Sequence, residues 1–103
     1  MSNHIHLLLT PTTNNLGIAM QYFLTNLSKY LNYELKHKNH IFGDRYYPTI
    51  IRNKKHLINV IRYIYQNPIR ANICYNVEDY KYSSLGFYSG LFNHGIQIDP
   101  QIW

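Results

Sequence analysis

A single cysteine, Cys74, stands in the whole chain. It can neither close an internal disulfide nor complete a multi-cysteine zinc site by itself, so zinc-finger architectures are excluded. Also missing is any apolar run approaching the ~18 to 20 residues of a membrane span. The opening MSNHIHLLLT has neither the positive start nor the small-residue cleavage site of a secretory signal. A cytoplasmic protein without a membrane partner is therefore expected. There is no low-complexity tract and no repeat at a fixed period, which predicts a folded chain rather than a disordered tail. Its 103 residues suffice for one core and are too few for two, so one compact domain over residues 1–103 is expected.

Acidic residues are scarce where basic ones are dense. Nine of the ten Lys and Arg lie between Lys29 and Arg70, where only Glu34 and Asp44 oppose them, leaving that segment at +7 while the whole chain carries +5. Six of the eleven tyrosines are interleaved with these cations. Basic grooves with aromatic platforms suit single-stranded nucleic acid, where phosphates are neutralised and exposed bases stack. A merely basic, tyrosine-rich composition accounts for the charge equally well.

In chain order, Asn3 to Thr10 (NHIHLLLT) is short, apolar toward its end and closed by Pro11, which predicts a strand. Alternation along a strand puts His4 and His6 on one face with Ile5 on the other, and Leu7 to Leu9 suggest burial on both faces. Two imidazoles on one face begin a divalent-metal site but supply only two ligands, so a strand end without metal fits the same residues. After a polar loop, Leu16, Met20, Phe23, Leu24, Leu27, Tyr30 and Leu31 keep a helical period to about Lys36, with Asn26, Lys29, Asn32 and Lys36 on a solvated outer face. His37 and His40 fall in a turn region and read as surface residues. Arg45 to Arg52 (RYYPTIIR) has strand composition, with Pro48 pointing to an edge or a bulge.

The stretch from Asn53 to Arg70 carries the strongest local signals. Asn53 can cap a helix, and Leu57, Val60, Ile61 and Ile64 recur at helical spacing. Pro68 predicts an end near Asn67. His56, Tyr63 and Asn67 share the flank of that helix. Tyr63 and Asn67, four apart, join a phenol to a carbonyl oxygen able to bind a hard cation, although a half-buried tyrosine and a helix-ending asparagine would explain the pair as well. Beyond it, Asp79 can cap a short helical turn. Residues 85–103 read as irregular chain anchored by Phe87, Leu91, Phe92, Ile96, Ile98 and Trp103.

Taken together, NHIH, FGDRYYPTIIR, YIYQNPIRA and EDYKYSS in this order resemble the single-tyrosine HUH transposases of insertion-sequence type, most of all the REP-associated tyrosine transposase branch. The resemblance covers residues 1–84. It implies an α+β fold, a ferredoxin-like α/β sandwich with an antiparallel sheet and helices on one face, in which His4, Ile5 and His6 lie on a central strand. It further implies Tyr63 as the nucleophile and His4, His6 and Asn67 as ligands of Mg²⁺ or Mn²⁺. Such an enzyme cuts and rejoins single-stranded or hairpin DNA through a 5′-phosphotyrosine intermediate. Arg45, Arg52, Lys54, Lys55, Arg62 and Arg70 are candidate phosphate contacts.

Members of the family carry a strand and a helix ahead of the His-bearing strand, whereas here Met1 falls almost on the motif. An N-terminally truncated sandwich is therefore expected, with an open sheet edge that a homodimer could cover. Two other functions fit the same residues: a DNA-binding module without catalysis, and an inactive truncated remnant.

Overall fold

The computed structural model describes residues 4–12 and 14–90. Their order is helix α1 (Leu16–Leu35), helix α2 (Lys54–Arg70), a 3₁₀ turn (Val77–Asp79) and the short helix α3 (Leu85–Tyr88). The described residues fall into two compact units, one formed by residues 4–9 and 51–90, the other by residues 10–50. No helix among them is long and apolar enough to cross a membrane.

Among the described residues there is no β-strand, which overturns the expected α+β, ferredoxin-like α/β sandwich. Residues 4–10 and 45–52 have strand composition but no ladder; Asn3 and residues 91–103 lie outside the described part. The reason is that β propensity measures packing on a pleated surface, and a strand exists only through a partner that takes its N–H and C=O groups. Residues 6 and 8 are partly covered while 4, 5, 7, 9 and 10 are exposed. The expected burial of both faces fails with the sheet: Ile5, Leu7 and Leu9 are each about half exposed.

In the unit of residues 10–50, α1 turns Leu16, Met20, Leu24, Leu27 and Leu31 inward, with Met20 buried. Phe23 and Tyr30, expected on that face, are exposed. The helix closes with Lys36 in the left-handed region (φ 50°). The His37 N–H donates to Asn32 O (2.9 Å) and the Lys36 N–H to Tyr33 O (3.4 Å), a Schellman closure that turns the chain back sharply.

In the other unit, α2 begins as the sequence predicts. The Asn53 side chain accepts the His56 N–H at 2.8 Å, and the His56 ring accepts the Arg52 N–H at 3.4 Å, which ties the residue before the cap to the first turn. Leu57, Val60, Ile61 and Ile64 lie on the covered side. The helix end differs from expectation. Pro68 removes one N–H and is buried, yet α2 runs on to Arg70. A second Schellman closure explains the extension: Asn72 adopts φ 56°, its N–H donates to Ile69 O, and the Ile73 N–H donates to Pro68 O, both at 2.9 Å. Asparagine tolerates that backbone better than most residues. The 3₁₀ turn packs on α2 and α3, and Tyr65 and Ser84 hydroxyls share a hydrogen bond at 2.9 Å that ties α2 to the start of α3. Residues 85–88 are thus helical where irregular chain was expected.

Replacing Asn53 by Ala removes the cap and should cost about 1 kcal/mol. Chemical denaturation followed by circular dichroism should show that loss, with Asn53→Asp close to the parent. An unchanged Asn53→Ala midpoint would mean the cap does not hold α2.

Candidate functional site

Helical geometry sets the first part of the site. Tyr63, Asn67 and Arg70 are four and three residues apart on α2, so they lie along one stripe of the helix. The stripe borders the covered side: Asn67 is partly covered, and Tyr63 is 44% exposed. Had α2 stopped at Asn67, Arg70 would have left the stripe. Its guanidinium carbon instead lies 5.7 Å from the Tyr63 ring centroid, within cation–π range.

The second part comes from the other end of the chain. His6 packs edge-on against Tyr63, with ring centroids 5.4 Å apart and planes at 81°. Its Nε2 lies 3.2 Å from the Asn67 side-chain amide, whose Nδ2 donates to it across 61 positions of sequence. His4 meets His6 in the same edge-on manner at 5.0 Å, as residues two apart in extended chain should. His6 is therefore the hub, touching His4, Tyr63 and Asn67. Burial, and secondly the neighbouring His4, hold the His6 imidazole below the ordinary value of 6.5. The ring is thus neutral near pH 7, with a lone pair available.

This donor set fits a divalent metal in its chemistry. Two imidazoles and one amide are neutral N and O donors, and a neutral imidazole is the ligating form. For Asn67 to contribute Oδ1, its amide must turn end for end from the present hydrogen bond. Imidazole donors favour transition ions over Mg²⁺, so Mn²⁺ suits the set better of the two expected metals. No group of three or more His, Cys, Asp or Glu able to hold a metal occurs among the described residues.

The six cationic candidates are all exposed. Arg52, Lys54 and Lys55 crowd the start of α2, whose first turn holds no acidic residue, an arrangement unfavourable against the helix dipole. Lys55 and Arg62 are two turns apart on one face of the same helix. Arg45 belongs to the unit of residues 10–50. His56, on the same flank as Tyr63 in sequence, is engaged at the cap instead. Sequence reasoning treated Arg70 only as a phosphate contact and missed its place over Tyr63; the spacing of seven residues was the available signal.

No family model and no solved structure matches the chain. It is similar to a curated protein of Haemophilus influenzae named "Putative REP-associated tyrosine transposase". The two are 32% identical over 95 residues, covering 82% of this chain and 54% of that relative. The chain thus spans about half the length of the curated relative it matches.

A group whose folded value is depressed contributes stability above its unfolded value, and that stability is lost as pH falls through the folded one. The His6 resonance should therefore titrate below 6.5 in NMR, and the folded state should weaken as pH drops under 6.5, less so in His6→Gln. His4→Gln should move the His6 midpoint only part of the way up, because burial is the larger cause. A midpoint at or above 6.5 would contradict the burial of this ring.

Proposed function

We propose that this chain belongs to the REP-associated tyrosine transposases and acts on single-stranded or hairpin DNA, with Tyr63 as nucleophile. The observation that carries this reading is the contact of His6 with His4, Tyr63 and Asn67, which brings the amino-terminal histidines to the flank of α2. The transposase name of the similar protein supports the same reading independently.

In this reading the Tyr63 oxygen attacks a backbone phosphorus. The P–O3′ bond breaks as the P–O(Tyr63) bond forms, Tyr63 gives up its hydroxyl proton, and the departing 3′ oxygen gains one. The product is a 5′-phosphotyrosine and a free 3′ hydroxyl, which rejoins strands when a 3′ hydroxyl attacks in reverse. Arg70, placed over the phenol ring, can hold the incoming phosphate beside the attacking oxygen. His4, His6 and Asn67 would hold a divalent ion, which when bound supplies Lewis-acid polarisation of the phosphate. The exposed Arg52, Lys54, Lys55 and Arg62 accept the strand's phosphates without reading bases.

Labelled single-stranded hairpin DNA incubated with the protein and Mn²⁺ should give a covalent adduct on a denaturing gel. Tyr63→Phe should abolish the adduct and leave binding intact; an adduct that survives it would sink the nucleophile assignment. Replacing Lys54 and Lys55 together by Ser should weaken binding of all sequences alike and lower the slope of log affinity against log salt by about 1.4, at ~0.7 per single-strand phosphate contact. Binding without an adduct under any metal would favour a binding module over an enzyme.

A further inference from the structure

Helix α2 holds no acidic residue in its 17 positions, and its four cations, Lys54, Lys55, Arg62 and Arg70, are all exposed. At ~100° per residue, Lys55, Asn59, Arg62 and Gln66 fall within a stripe about 60° wide. That stripe lies opposite the covered side of Leu57, Val60, Ile61 and Ile64, and about a quarter turn from Tyr63, Asn67 and Arg70. Lys55, Asn59 and Arg62 are exposed, and Gln66 is partly covered.

The polar side chains of α2 and its cap divide by position. Those of Asn53, His56, Tyr65 and Asn67 all have hydrogen-bond partners in the protein. Those of Lys55, Asn59, Arg62 and Gln66 have none among the described residues. Nor has the stripe the composition that stabilises a solvated helix face. Such faces pair Glu with Lys or Arg four residues apart, whereas here two cations alternate with two amides and no acid opposes them. Asparagine is a poor helix former, and at the exposed, mid-helix Asn59 no capping bond or covering contact offsets that cost. A local preference broken without structural return marks a functional position.

We propose, resting on the DNA reading above, that this outer face of α2 enters the major groove of the paired hairpin stem, where Asn59 and Gln66 read adenines. The groove admits an α-helix, and a carboxamide meets adenine on two atoms: its oxygen accepts from the N6 amine while its NH₂ donates to N7. Lys55 and Arg62, alternating with the amides, neutralise phosphates that border the groove. Asn59 and Gln66 stand about 10.5 Å apart along the axis at ~1.5 Å per residue, the length of about three base-pair steps of ~3.4 Å. The two adenines therefore lie about three steps apart in the stem. Neither amide takes part in strand cleavage.

Selection from hairpins with randomised stem pairs, incubated with the full chain without added metal so that no strand is cut, tests this. Bound stems should be enriched in A·T pairs at two positions about three steps apart, each preferred about five-fold or more. Asn59→Ala should lose the preference at one position and Gln66→Ala at the other, both variants checked for folding by circular dichroism. In the selected stem, 7-deazaadenine pairs normally but lacks the N7 acceptor, and at either position it should weaken binding with the protein unaltered. Hairpins bound without a preference in the stem, or a preference that neither substitution nor 7-deazaadenine removes, overturn the stem contact. If such results accompany a normal Tyr63 adduct, only the stem contact falls. If no hairpin binds, it falls together with the DNA function.

Discussion

The site depends on one contact between distant parts of the chain, the His6 imidazole against the Asn67 amide. Without it, His4 and His6 are two histidines on an extended segment and Tyr63 is an exposed tyrosine on a helix. With it, the amino-terminal segment is pinned beside α2, and the His6 ring comes edge-on to the phenol. The contact is affordable because burial favours the neutral form of His6, so no buried cation has to be compensated. Neutral donors gather at the centre while the cations stay on exposed positions around the helix. That division leaves no salt bridge to be desolvated in the interior of the site.

The second constraint is the length of α2. Helical period alone aligns Tyr63 with Asn67, but Arg70 joins them only because the helix survives Pro68. The Schellman closure through Asn72 and Ile73 makes that possible by taking up the Pro68 and Ile69 carbonyls. At the other end, the Asn53 cap on the His56 N–H and the His56 ring on the Arg52 N–H start the helix despite two lysines in its first turn. On the far side, the Tyr65–Ser84 hydrogen bond and the 3₁₀ turn hold α2 from behind. Local devices that shape one helix thereby position a site.

What could be read from the sequence follows the range of the interactions involved. The Asn53 cap, the covered face of Leu57, Val60, Ile61 and Ile64, the extent of α1 and the flank shared by Tyr63 and Asn67 are set within a few residues, and each was legible. His4 beside His6 needed only extended chain. The sheet was not legible, because strand composition at residues 4–10 and 45–52 states a preference and says nothing about whether a pairing partner is there. The passage of α2 beyond Pro68 depended on the left-handed Asn72, whose signal is weak beside that of a proline. Asn32 was read as solvated because periodicity assigns a face and cannot foresee a loop folding back over it.

The central claim is that His4, His6, Asn67 and Tyr63 surround one ion position. Titrating the protein with Mn²⁺ and following paramagnetic broadening in NMR measures this directly. The account predicts that the side-chain signals of His4, His6 and Asn67 broaden first and together, with Tyr63 next, at one ion per chain. Broadening confined to His37 and His40, or to His4 and His6 with Asn67 and Tyr63 untouched, would contradict it.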